Sequence, residues 1–168
     1  ARLPTLRPAG RDPKVGSGGS TPALVHSHEL AGLNEIRPGT YIFNDRNTML
    51  MGSCLLEECA ASIMTTVVST AKKGQMIIDG GSKTFSSDRP VTGTEVSFGL
   101  LTEAPEAVFT KMNEEHGYVD IRRVKRDFVI GDRVRVIPNH VCGAVNVHER
   151  IYGIRGDQVE HTWTVDAR

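Results

Sequence analysis

The chain has 168 residues, 39% hydrophobic and 24% charged, which fits one ordinary globular domain or a small domain plus part of another and excludes a disordered or fibrous chain. Lys+Arg and Asp+Glu number 20 each, so no net field favours a nucleic acid partner. The apolar stretches, such as Ile63 to Val68, are interrupted by Thr and are far too short for a membrane span.

Three cysteines cannot all pair internally, and a domain of this size needs no disulfide staples, so a reducing compartment, the cytoplasm, is expected. The chain opens at Ala1 with neither an initiator Met nor a charged-then-apolar leader, and it reads as processed or as a piece of something longer. Residues 1–22 are rich in Pro and Gly, with a short strand expected only at Lys14-Val15. Ser20-Thr21-Pro22 then supplies a cap, a hydroxyl and a proline at a helix start leading into Ala23, Leu24 and Val25. After Ile36-Arg37-Pro38-Gly39, the run Thr40-Tyr41-Ile42-Phe43 predicts a buried strand, Asn44-Asp45 a cap, and Met49 to Cys59 a short helix.

From Ala61 the signals turn to strand. Ile63, Thr65, Val67 and Thr70 lie in a β-branched run that turns at Lys72-Lys73-Gly74 into Gln75-Met76-Ile77-Ile78-Asp79, a hairpin. Further strands are predicted at Val96 to Leu101, Ala107 to Glu114, Gly117 to Ile121, Arg133 to Ile137, Arg150 to Ile154 and Gln158 to Val165. Short strands at this spacing indicate a β-sandwich or barrel over the last hundred residues or so.

Two constellations carry chemistry. Pro138-Asn139-His140-Val141-Cys142 follows a strand; if the chain stays extended, an imidazole and a thiolate share one face and form a zinc-like pair with positions left open for water or substrate. On spacing alone, a half-buried His and an inert Cys at a strand end is the commoner outcome. Gly16-Ser17-Gly18-Gly19-Ser20-Thr21-Pro22, with Gly39-Thr40-Tyr41 further on, aims backbone amides and hydroxyls at one phosphate, although no Lys follows in the Walker arrangement and a plain glycine linker is the simpler alternative. Asp79-Gly80-Gly81-Ser82-Lys83 and Glu114-Glu115-His116-Gly117 read by themselves as a hairpin end and a solvated turn. Cys54 and Cys59 read as ordinary apolar positions.

Taken together, Gly19-Ser20-Thr21-Pro22, Arg37-Pro38-Gly39-Thr40-Tyr41-Ile42-Phe43-Asn44-Asp45, Asp79 to Lys83, Glu115-His116-Gly117 and Pro138 to Cys142 resemble the C-terminal part of the D-threonine aldolase and D-serine dehydratase family. That resemblance runs through nearly the whole chain. It implies an alanine-racemase-like, mainly β fold: residues 1–45 as the last βα portion of a truncated TIM-type barrel that binds pyridoxal 5'-phosphate, and residues 46–168 as a C-terminal β-barrel or sandwich with a metal site. It implies that Ser20, Thr21, Gly39, Thr40 and Tyr41 bind the cofactor, that His140 and Cys142 hold zinc or another divalent cation, and that Glu115, His116 and Asp79 stand behind the metal ligands. The Schiff-base lysine of such enzymes lies near the start of the barrel, upstream of Ala1, so this chain alone is expected to be inactive.

The implied activity is a lyase reaction on a small D-3-hydroxyamino acid, D-serine to pyruvate and ammonia, by an enzyme that is a homodimer at full length. D-threonine aldolase chemistry is the alternative within the family, and a non-catalytic β-barrel interaction module the alternative outside it. After Cys142 the family pattern calls for a Pro-Thr-like pair, where Gly143-Ala144 stand.

Overall fold

In the computed structural model, residues 14–93 and 96–166 are described; the Pro-rich stretch through Pro13 lies outside them. Ten strands and three short α-helices occur among the described residues, joined by 3₁₀ turns. The first strands are minimal: β1 (Ser17–Gly18) pairs parallel with β2 (Glu35–Ile36), and the segment between them holds a 3₁₀ helix at Thr21–Glu29 that begins at the expected Ser20-Thr21-Pro22 start. The expected strand at Lys14-Val15 forms instead at Ser17–Gly18.

Thr40–Ile42 is a 3₁₀ turn, not a buried strand; Tyr41 and Ile42 are 51% and 62% exposed. Apolar character alone cannot make a strand where no sheet edge is offered, and this run has no ladder partner among the described residues. The single helix expected over Met49 to Cys59 is likewise two short pieces, α1 (Arg46–Leu50) and a 3₁₀ turn at Leu56–Glu58. Gly52, at φ +72°, ends the first helix in the left-handed conformation that glycine adopts without penalty.

The strands beyond follow the sequence closely. β3 (Ile63–Ser69), β4 (Gln75–Ile78), β5 (Gly99–Leu101), β6 (Val108–Met112), β7 (Gly117–Asp120) and β8 (Arg133–Pro138) form one six-stranded sheet in the order β5-β8-β3-β4-β7-β6. Its five pairings are antiparallel. The edge strands β5 and β6 curl toward each other, linked by a bond from the Phe98 amide to the Phe109 carbonyl at 3.0 Å, so the sheet is a nearly closed barrel.

Alternation writes the core. Val134 and Val136 are buried while Arg133 and Arg135 face out, and Met76, Ile78, Val119, Leu101 and Val67 fill the interior around Phe109. Phe85 of α2 (Ser82–Phe85) and Phe98 meet the Phe109 ring edge-on, with centroids at 5.2 and 5.8 Å. Gly117 is required beside it, because a Cβ there would stand 2.6 Å from that ring.

β9 (Arg150–Arg155) and β10 (Gln158–Thr164) arise where expected but form their own antiparallel ribbon outside the barrel. Among the described residues no helix is long and apolar enough to cross a membrane.

Candidate metal and cofactor site

β8 delivers its last residues, Ile137 and Pro138, buried, and the next residue begins the site. Asn139 is 1% exposed; its Nδ2 donates to the carbonyls of Asp88 and Ser97 at 2.9 and 2.6 Å, and its own carbonyl accepts from the Asn47 amide at 3.1 Å. The backbone beneath His140 is therefore clamped. The chain does not stay extended beyond it: α3 (Val141–Asn146) starts at once, with His140 as its extended N-cap residue and the Ala144 amide donating to the His140 carbonyl at 3.2 Å. His140 and Cys142 consequently do not share a strand face; they stand at the cap and in the first turn of a helix.

His140 is partly exposed and turns its Nδ1 to the Asp45 carboxylate at 3.3 Å. Asp45 itself is buried and caps α1: one oxygen accepts from the Thr48 amide at 2.8 Å and hydroxyl at 2.5 Å, and the other accepts from the Val141 amide at 3.0 Å. The sequence marks Asp45 as a cap, but its grip on His140 spans 95 residues and carries no local signal. Cys142 is an exposed free thiol, and the Thr40 hydroxyl stands 3.7 Å from its sulfur.

That contact joins the two constellations. Thr40 begins the turn after Gly39, the Tyr41 amide donates to the Thr21 hydroxyl at 3.1 Å, and Thr21 follows the exposed Ser20 at the first 3₁₀ helix. Ser20, Thr21, Gly39, Thr40 and Tyr41 thus belong to one neighbourhood. Gly39 borders open space, since a Cβ built on it meets nothing within 4 Å. With no side chain on Gly39, an anion such as a phosphate can approach the backbone here, while the Tyr41 amide is already taken by the Thr21 hydroxyl.

The donor types suit a divalent metal: an imidazole whose Nδ1 faces Asp45 and an exposed cysteine sulfur, with room at a catalytic metal for water and substrate. Among the described residues no group of three or more His, Cys, Asp and Glu side chains is arranged to hold a metal ion, so the pair stands without a third such protein donor.

Asp79, Glu115 and His116 have other partners. The Asp79 carboxylate accepts from the Thr66 amide at 2.7 Å, Glu115 pairs with Lys83 at 2.5 Å, and the Glu115 and His116 amides donate to the Asn113 side chain. The Asp79–Lys83 and Glu114–Gly117 segments in fact interlock: Ser82 and Lys83 amides donate to the carbonyls of Asn113 and Glu114 at 2.9 and 3.2 Å. Cys54 and Cys59 lie in the loop and 3₁₀ turn after α1, not in a helix. Burial first, and then the neighbouring Cys54 thiol, push the Cys59 thiol up to about 12.

Comparison with known proteins agrees with this architecture. Residues 60–154 match the family described as "Putative serine dehydratase domain". D-threo-3-hydroxyaspartate dehydratase of Delftia sp. is 31% identical over 94% of this chain and 45% of its own length, and D-serine dehydratase of Dictyostelium discoideum is 32% identical over 74% and 35%. The chain thus spans about half or less of these relatives. An uncharacterized protein of Mycobacterium tuberculosis is 31% identical over 76% of this chain and 97% of its own length.

The solved structure of the Delftia enzyme superposes with a TM-score of 0.80 over 95% of this chain and 46% of that one. An alanine-racemase-like protein of Idiomarina loihiensis, 24% identical, gives 0.81 over 95% and 45%, which shows the shared fold. Two variant structures of a D-threo-3-hydroxyaspartate dehydratase replace a histidine and, two positions later, a cysteine by alanine, the cysteine variant in a metal-free form; the spacing is that of His140 and Cys142. The fold is the C-terminal part of an alanine-racemase-like architecture, and the chain belongs to the serine dehydratase domain family.

Proposed function

We propose that this chain is the C-terminal portion of a pyridoxal-phosphate- and metal-dependent lyase of D-3-hydroxyamino acids, of the D-serine dehydratase type. The segment ending at residue 45 completes a TIM-type barrel, and residues 46–168 are the metal-bearing β-domain. What supports this reading is the 3.7 Å contact between the Thr40 hydroxyl and the Cys142 thiol, which joins the segment assigned to the phosphate with the residues assigned to the metal.

When bound, pyridoxal phosphate supplies an electron sink for a bond broken at Cα, and the metal acts as a Lewis acid on the substrate hydroxyl. This chain's own residues do the placing. Ser20, Thr21, Gly39, Thr40 and Tyr41 line the phosphate rim, Tyr41 steadied through its amide on Thr21. His140 and Cys142 would hold the cation, and a thiolate ligand would favour zinc over magnesium or manganese, which supports the dehydratase over an aldolase using a harder ion. The three free cysteines suit a reducing compartment, the cytoplasm.

Metal analysis tests the reading: the chain should carry about one zinc, lost in both His140→Ala and Cys142→Ala, and unchanged zinc in either variant overturns the assignment. Cys142→Asp should shift preference toward harder cations. A second reading, a domain of this family with no turnover of its own, is favoured by the M. tuberculosis relative matched over 97% of its length. It requires that joining the chain to a complete barrel add no lyase activity.

A further inference from the structure

Three histidines of the described residues have polar partners on the ring, and they differ in kind. His26 meets the exposed Glu29, His148 meets the Ala144 carbonyl, and His140 meets Asp45, whose side chain is only 2% exposed. A buried carboxylate is acceptor-only when ionised, so a ring nitrogen placed against it has to carry the proton. We propose that Asp45 is a positioning residue that fixes His140 as the Nδ1–H tautomer and aims its Nε2 lone pair at the metal. This rests on reading His140 and Cys142 as the metal pair.

The geometry leaves Asp45 little freedom to do otherwise. Its Oδ1 is committed to α1 through the Thr48 amide and hydroxyl. Its Oδ2 receives both the Val141 amide at 3.0 Å and the His140 ring at 3.3 Å, so one oxygen ties the first residue of α3 to the imidazole beside it. From the other side, α1 holds the preceding residue: the Asn47 amide donates to the Asn139 carbonyl at 3.1 Å, and Arg46 Nη1 donates to Asn139 Oδ1 at 3.2 Å. With the backbone at 139–141 fixed, the remaining freedom is rotation of the imidazole, and Asp45 removes it. Carboxylates behind metal-bound histidines act this way generally, raising ligand basicity and fixing orientation.

Asp45 also caps a helix, so the test has to separate stability from metal orientation. Zinc titration of the chain by calorimetry should show Asp45→Asn binding about 10- to 100-fold more weakly than wild type. Thr48→Ala removes the hydroxyl half of the capping box but keeps the backbone amide bond and the carboxylate against the ring; it should lower the melting temperature while zinc affinity stays near wild type. Equal affinity in Asp45→Asn and wild type overturns the proposal, and so does an equal loss in both variants, which would mark a fold effect.

A measurement on the unaltered, zinc-free chain is independent of whether Asp45→Asn folds. Imidazole ¹⁵N shifts of neutral His140 should report Nδ1–H, and an Nε2–H signature overturns the proposal. Failure of wild-type chain to bind zinc at all would instead sink the metal reading on which this inference stands.

Discussion

Cys142, Cys59 and Cys54 share one side-chain chemistry and differ in what surrounds them. Cys142 is exposed beside Thr40, whereas Cys54 and Cys59 are half-buried neighbours, and burial followed by the Cys54 contact raises the Cys59 thiol to about 12. The thiolate is the species that reacts with alkylating reagents and binds metal. At pH 8 a thiol titrating near 12 is ionised in roughly one molecule in ten thousand. Limited iodoacetamide treatment at that pH, followed by peptide mass analysis, should therefore label Cys142 well before Cys59, and added zinc should protect Cys142 alone.

Residue identity singles out His140 and Cys142 in the sequence, since their side chains are donor types suited to a borderline cation. It could not reveal that Asp45 and Thr40 are their neighbours. Those contacts span 95 and 102 residues and exist only once the barrel brings α1, α3 and the first turn together.

Among the elements, the strands were readable because their pattern is local: β-branched alternation in β3 and β8 records which side faces the core. The errors fell where a local pattern lacked a partner or met a breaker. Tyr41-Ile42-Phe43 has strand-like composition but no ladder partner, Met49 to Cys59 is cut by Gly52 at positive φ, and the extended reading past His140 fails because the Asp45 carboxylate accepts from the Val141 amide and α3 begins.

β8, which leads into the site, is held on its outer face as well. Glu103 accepts from the Arg135 amide at 2.8 Å and from its guanidinium at 3.0 Å. Burial works to raise the Glu103 carboxyl, but these Arg135 bonds outweigh it and leave it below its ordinary value. A carboxylate whose folded pKa is depressed stabilises the fold above its unfolded pKa of about 4.3, and that contribution is lost as pH falls through the folded value. Glu103→Gln should accordingly cost about 1 kcal/mol in urea melts at pH 7, discounted for partial exposure, and the gap to wild type should close below about pH 4.

At the scale of the molecule, the barrel has its own closed core around Phe109, and the site lies where the preceding segment meets the end of β8. On the proposed function, turnover needs an amine suited to the cofactor's aldehyde, and the lysines of this chain are poorly placed to supply it. A suitable lysine reacts as the neutral amine and is activated by desolvation or a neighbouring cation. Lys83 is in the opposite setting: it is exposed, and its hydrogen bond to Glu115 holds the ammonium charged. Lys111 lies over the Tyr118 ring at 5.6 Å, away from the site. Lys14, Lys72, Lys73 and Lys125 are likewise outside the Thr21, Tyr41, Thr40 and Cys142 contacts that define the site.

The chain spans only 45% of the Delftia enzyme's length, and the proposed function expects the reactive amine in the remainder of the barrel. The 168-residue chain supplied with zinc and pyridoxal phosphate should therefore bind the metal yet release no pyruvate from D-serine and no acetaldehyde from D-threonine, in coupled assays with alcohol or lactate dehydrogenase. Joined to a complete barrel, it should release pyruvate from D-serine in a chelator-sensitive way. Turnover by the chain alone, abolished by Lys83→Ala, would show that the amine is already present here and that the chain is not the C-terminal portion of a larger catalytic unit.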